Sequence, residues 1–197
     1  MRPGKLRTVF LKTAVCAVLV SALGCASTPR THFYTLHVAL RNGPASSSNG
    51  PVLVVEPFSA EPLAADTRLV YRTSPYTVDF YTYHQWAVDP AEQVTHALVE
   101  VLRGSGRFGA VYVAPAATAG DLRLRGRVIE LCEIDEGNQW YGQVTLDLTL
   151  LRNGAGEIVW HKRFSQRIPA ASRNPKAVVK ALSEGVKKIA EEISQSK

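Results

Sequence analysis

The sequence is poor in cysteine, in long apolar runs and in recognisable catalytic motifs. Its three cysteines stand at positions 16, 25 and 132. They are too few and too scattered for a disulfide framework. The N-terminal apolar stretch Thr13–Leu23 falls short of the roughly 20 residues a spanning helix needs. There is no Walker loop and no G-x-S-x-G elbow. The five histidines, His32, His37, His84, His96 and His161, show no i, i+4 pair and no accompanying cysteine pair, so a zinc helix is excluded. The expectation is a chain with no catalytic residue, no metal and no cofactor, although the absence of motifs does not by itself exclude an enzyme.

What is present begins at the N-terminus. Residues 1–12 carry Arg2, Lys5, Arg7 and Lys12 and no acidic residue; the apolar run follows, then Gly24-Cys25-Ala26-Ser27. A basic region, a short apolar core and a small-residue cut site together describe a secretory signal. Ala22-Leu23-Gly24-Cys25 resembles the lipobox of bacterial lipoproteins, whose cysteine receives diacylglycerol before cleavage. That resemblance implies a signal peptide over 1–24 and lipidation of Cys25. The alternative is an ordinary signal peptide ending in a small residue. Each buried acyl CH₂ contributes about 0.8 kcal/mol, so several chains hold a domain at a bilayer where one holds it only marginally. Ala26 in place of aspartate implies, by the same resemblance, the outer membrane and its periplasmic face.

The cut changes the charge. Residues 1–24 hold four basic and no acidic side chains, so the net charge falls from +6 to +2. That is no footprint for a nucleic acid. With Cys16 removed and Cys25 lipidated, Cys132 alone remains, and the fold must stand on its core. At about 170 residues it can, burying roughly 70% of its unfolded surface.

Residues 25–50 read as a lipidated tether with a first strand, His32–Leu36, and a turn-forming stretch at 41–50. Residues 51–197 read as the remainder of one periplasmic domain. Val52–Val55 is an apolar run typical of a strand buried on both faces. Arg68–Arg72 and Thr77–Tyr83 predict two strands joined at Ser74-Pro75. Asp89-Pro90-Ala91-Glu92 predicts a capped helix with Val94, Leu98, Val101 and Leu102 as its stripe and Gly104 as its stop. Phe108–Val113 reads as a further strand. Leu122, Leu124 and Val128 alternate with Arg123, Arg125 and Arg127, and Val144, Leu146, Leu148 and Leu150 with polar residues. Asn153-Gly154 predicts a hairpin into a strand near Ile158–Phe164. Asn174-Pro175 caps a last helix whose buried stripe is Val178, Leu182, Val186, Ile189 and Ile193. The fold class is α+β: one domain, a mainly antiparallel mixed sheet, and two helices packed on one face.

Several patterns imitate chemistry. Gly104–Gly109 matches G-x-G-x-x-G, but it follows a helix and opens a strand, the reverse of a dinucleotide site. The arginine row reads as a solvated sheet face with cross-strand partners such as Asp147. Glu130, Glu133, Asp135 and Glu136 read as a solvated hairpin tip rather than a cation site. Cys132, inside a strand pattern, reads as a buried, inert thiol.

Tyr76–Ala87 is less generic, with five aromatics and His84 at the end of a strand just before a capped helix. Alternation predicts Tyr76, Val78 and Phe80 inward and Thr77, Asp79, Tyr81 and Tyr83 outward. Outward aromatics next to a tryptophan have the composition of an interface core, and the segment's Phe80, Tyr81, Tyr83, His84 and Trp86 are taken together as a candidate partner interface. The competing reading packs Phe80, Tyr83 and Trp86 under the first helix. Together with Tyr34-Thr35-Leu36, Val54-Val55-Glu56-Pro57-Phe58, Leu69-Val70-Tyr71-Arg72 and Ser105-Gly106-Arg107-Phe108, the segment resembles the ABC-type transport auxiliary lipoprotein family (PqiC-like proteins). Gln85 stands where that pattern carries a basic residue. The resemblance implies a non-catalytic envelope component working with an MCE-domain protein and ABC transporter subunits in lipid or hydrophobic-solute traffic, with self-association as a further expectation. Two other classes stay open: a lipid-anchored periplasmic hydrolase and a stand-alone lipid carrier.

Overall fold

A computed structural model of the chain describes residues 29–39, 49–115, 120–152, 154 and 156–196. By its contacts the chain divides after Arg30, and Thr31–Lys197 is the unit that carries the sheet and both helices. The expected signal segment over 1–24, Cys25, most of the 41–50 stretch and Asn153 lie outside the described residues.

Among the described residues nine strands and two helices form in the order β1 (His32–Tyr34), β2 (Val52–Val55), β3 (Ser59–Ala60), β4 (Arg68–Ser74), β5 (Thr77–Trp86), α1 (Pro90–Arg103), β6 (Ala110–Val113), β7 (Leu122–Glu136), β8 (Gln139–Arg152), β9 (Ile158–Pro169) and α2 (Pro175–Gln195). The α+β expectation holds. Period-two alternation builds the long meander β7-β8-β9, whose two antiparallel ladders make the bulk of the sheet. Val144, Leu146 and Leu148 are fully buried on its covered face. At the β7–β8 turn Gly137 takes φ +69°, and its N–H donates to Asp135 Oδ1 at 2.9 Å.

The other edge of β7 is unlike anything the alternation announces. Three short strands lie parallel along it in succession: β2 (Leu53 opposite Leu122), β3 (Ser59 opposite Arg127) and β4 (Tyr71 opposite Glu133). The sheet therefore branches. Parallel β6 extends β2, while antiparallel β5 and then parallel β1 extend β4.

Both helices begin as their sequences require. Asp89 accepts a hydrogen bond from the Glu92 N–H and Asn174 one from the Ala177 N–H, each at 2.9 Å, with proline in the first turn. Such caps contribute about 1 kcal/mol each. The apolar stripes of α1 and α2 join one core, with each buried valine or leucine contributing roughly 1.5–3 kcal/mol. Helix α2 lies against β8 at Gly142, where an added Cβ would stand 2.7 Å from the backbone nitrogen of Leu182. Residues 35–38 then run between the helices as a strap. The Leu36 N–H donates to Gln93 Oε1 of α1 at 2.8 Å, and the His37 N–H to Ser183 Oγ of α2 at 3.1 Å.

Candidate functional site

Strand β5 carries the aromatic segment between β4 and β1, and this placement decides what each side chain can do. Trp86, opposite Tyr34 of β1, is 4% exposed and belongs to the core. His84 lies opposite His32, and the two rings stack with centroids 5.2 Å apart. The Tyr34 hydroxyl meets His84 Nδ1 at 2.7 Å, and the Tyr81 ring meets the imidazole edge-on at 5.3 Å. Burial, and then the neighbouring His32, hold the His84 imidazole below its ordinary pKa.

Tyr81 extends the cluster toward β7. Its ring packs on Tyr71 at 4.9 Å, and its hydroxyl donates toward both oxygens of Glu133, at 3.0 and 3.2 Å. Glu133 is 2% exposed. Burial pushes its carboxyl up to about 7, although the Tyr81 hydrogen bond pulls the other way. The Tyr81 phenol is raised by burial and by that same carboxylate. The row His32–His84–Tyr81–Glu133, with Tyr34 and Tyr71 beside it, is thus a polar-aromatic seam on the helix-covered side of the sheet. Its side is fixed by register, because Glu133 lies opposite Gly142, whose absent Cβ points at α2.

This seam reverses the alternation expected of the segment. Tyr76, expected inward, is 97% exposed in the β4–β5 turn, and Val78 is exposed too. Tyr81, expected outward, faces the covered side. The phase is set by pairing: Asp79 lies opposite Tyr71, which lies opposite Glu133. Inward polar groups satisfied by one another do not register in an apolar count. Phe80, the next residue, points to the other face, where the Arg68 guanidinium sits 4.0 Å above its ring and is held by Asp66 at 2.8 Å. Tyr83 remains 37% exposed.

The acidic group is corrected as well. Glu133 is buried, and Glu130 accepts a 2.7 Å hydrogen bond from Thr145, so the four carboxylates are not one solvated tip. The cause is a bulge between Val128 and Glu130, which shifts the register and turns Glu133 under the helices.

Other suspected chemistry resolves into structure. Cys132 is buried, and burial, with Glu130 next, pushes its thiol up to about 11, so it is neither a thiolate nor a nucleophile near neutral pH. The arginine row is solvated as expected, but its partners differ. Arg123 and Arg125 share Glu56 at 3.1 and 3.0 Å, and Arg127 meets Glu61 at 2.8 Å. Asp147 turns instead to Arg163 at 2.9 Å and His161 at 3.2 Å. His161 also meets Thr149 Oγ1 at 2.9 Å. Thr149, His161 and Asp147 have the order of a catalytic triad, but they form a cross-strand row in which His161 is exposed and Asp147 is shared with Arg163. The glycine-rich match lies after α1 and opens β6. Among the described residues no group of three or more His, Cys, Asp or Glu is placed to hold a metal, and no helix is long and apolar enough to cross a membrane.

Comparison with known proteins gives two kinds of match. A crystal structure of a Xanthomonas campestris protein, described as DUF330, superposes with a TM-score of 0.71 at 21% identity, covering 83% of this chain and 92% of that one. A second, an uncharacterized protein, gives 0.69 at 20% identity over 85% and 98%. At such identities the likeness is one of fold. No curated protein matches the sequence. The family model described as the ABC-type transport auxiliary lipoprotein component, however, matches residues 34–194, from Tyr34 of the seam to the end of α2. The chain belongs to the ABC-type transport auxiliary lipoprotein component family.

Proposed function

We propose that this chain is a non-catalytic docking component of an envelope ABC-type transport system. In this reading acylated Cys25 holds it at the outer membrane, with the domain in the periplasm. It works there with an MCE-domain protein and ABC subunits to move lipid or another hydrophobic solute. The observation that carries the reading is the contrast along β5. Tyr81, His84 and Trp86 lock the strand from the covered side, so the exposed Val78 and Tyr83, with Tyr76 in the turn before them, are presented on a rigid support. Exposed aromatics on a pre-organised strand suit a protein partner. The family's description as a transport auxiliary component supports the same reading.

The test is a pull-down of tagged full-length protein from envelope membranes, beside Cys25→Ala and a Tyr76→Ala/Tyr83→Ala double variant. Mass spectrometry identifies the partners and the mature N-terminus. The reading expects acylated Cys25 and captured MCE and ABC subunits, lost in the double variant. An unmodified N-terminus with no transporter subunit overturns it.

A further inference from the structure

The strap formed by residues 35–38 separates two grooves of opposite charge. On the α1 side a pocket of about 440 Å³ is lined by Glu92 and Glu100, with no lysine or arginine. On the α2 side a pocket of about 420 Å³ is lined by Lys176, Lys180 and Lys187 against the single Glu184. Lys187 is 3.5 Å from Glu184, while Lys176 and Lys180 are exposed and have no ion-pair partner among the described residues. The i, i+4 spacing sets these two lysines one above the other on α2. The walls and floor are Tyr34, Val38 and Val179, and the rim carries Phe33, 64% exposed on the edge strand β1. A cationic pair above an apolar floor, beside an unburied aromatic, is the composition of a surface that sits at a headgroup layer.

The position in the chain names the occupant. Phe33 stands eight residues after Cys25, and eight extended residues reach no more than about 29 Å. On the anchored reading proposed above, this corner of the domain is the one kept near the bilayer.

From this geometry we infer that the Lys176–Lys180 groove is a docking surface for anionic phospholipid headgroups of the bilayer that holds the anchor. The domain rests on its basic side, with Phe33 at the interface and the acidic α1 side turned away. The inference rests on the anchor of the proposed function, and its test separates the two.

Full-length protein is incorporated into vesicles of phosphatidylcholine alone, or of phosphatidylcholine with phosphatidylglycerol, and its lysines are acetylated. Mass spectrometry then reads the rate at Lys176 and Lys180 against Lys188, exposed and outside the groove. The expected result is flotation with both vesicles, and labelling at the two groove lysines slowed roughly fivefold by phosphatidylglycerol. High salt abolishes the effect, and flotation of Lys176→Glu/Lys180→Glu no longer responds to phosphatidylglycerol under detergent challenge. Flotation with both vesicles but equal labelling overturns the groove and leaves the anchor intact. Failure to float on phosphatidylcholine overturns the anchor and the inference with it. Protection by inorganic phosphate alone, or only when an envelope partner is added, assigns the lysines to a free anion or to a protein and equally overturns the inference.

Discussion

The Tyr81 hydroxyl reaches both carboxylate oxygens of Glu133, 52 residues away, in a place where Glu133 has almost no contact with water. A buried carboxyl raised from 4.5 to about 7 makes stability depend on pH in a defined direction. Below the unfolded value both states are protonated. Between 4.5 and about 7 the unfolded chain releases its proton first, so this group reduces stability as pH rises, by up to about 3 kcal/mol. Glu133→Gln is expected to remove that slope and to melt higher than the parent at pH 8. An unchanged difference between melts at pH 5 and pH 8 would sink the assignment.

Removing the donor tests the same pair from the other side. Tyr81→Phe leaves the ring packed on Tyr71 but strands the carboxylate, and is expected to cost about 1–3 kcal/mol. A double-mutant cycle with Glu133→Gln measures the coupling. Strict additivity would show that the two groups do not act together.

The opposite end of the seam carries the opposite pH dependence. The imidazole of His84 is held neutral by burial and by His32, so its contribution is intact above the unfolded value of 6.5 and declines as pH falls below it. Charging it also disturbs the stack with His32 and the contact with Tyr34. Amide exchange at β1, measured relative to β8, is therefore expected to accelerate as pH is lowered through that range. Parallel behaviour of the two strands would contradict it.

The site's register depended on information that alternation does not carry. The caps at Asp89 and Asn174, both helical stripes and the β8 alternation were legible because each is a local pattern whose residues meet within a turn or across one ladder. The parallel edge of β7 was not, since β2, β3 and β4 are short and carry no mark of which strand they join. Glu133 escapes the alternation because one bulged residue inverts every side chain after it. The residues expected at an interface divide at a second register shift, between β4 and β5: Trp86 and Tyr81 pack inward, while Tyr83 stays at the surface.

That division fixes which substitutions can probe assembly. Trp86→Ala empties a core position and is expected to destabilise the domain by about 3–5 kcal/mol, so loss of a partner in that variant says nothing about an interface. Tyr83→Ala is expected to leave the thermal melt nearly unchanged. A large drop for Tyr83→Ala would assign that ring to the fold.

Gly142 offers a test of the helix seat. An alanine methyl there meets the backbone of α2 rather than a side chain that could swing aside, so Gly142→Ala is expected to cost about 1–3 kcal/mol. Wild-type stability in that variant would mean the helix sits farther from the sheet.

The strap has a consequence for the order in which the chain can complete its fold. The His37–Ser183 bond joins residues 146 positions apart, and Ser183 lies in the last helix of the sequence. A polypeptide delivered N-terminus first therefore presents β1 and the strap long before their seat exists. Until α2 emerges, residues 35–38 have no second wall to lie against. Closure of the domain waits for α2, and any truncation within that helix is felt at the strap.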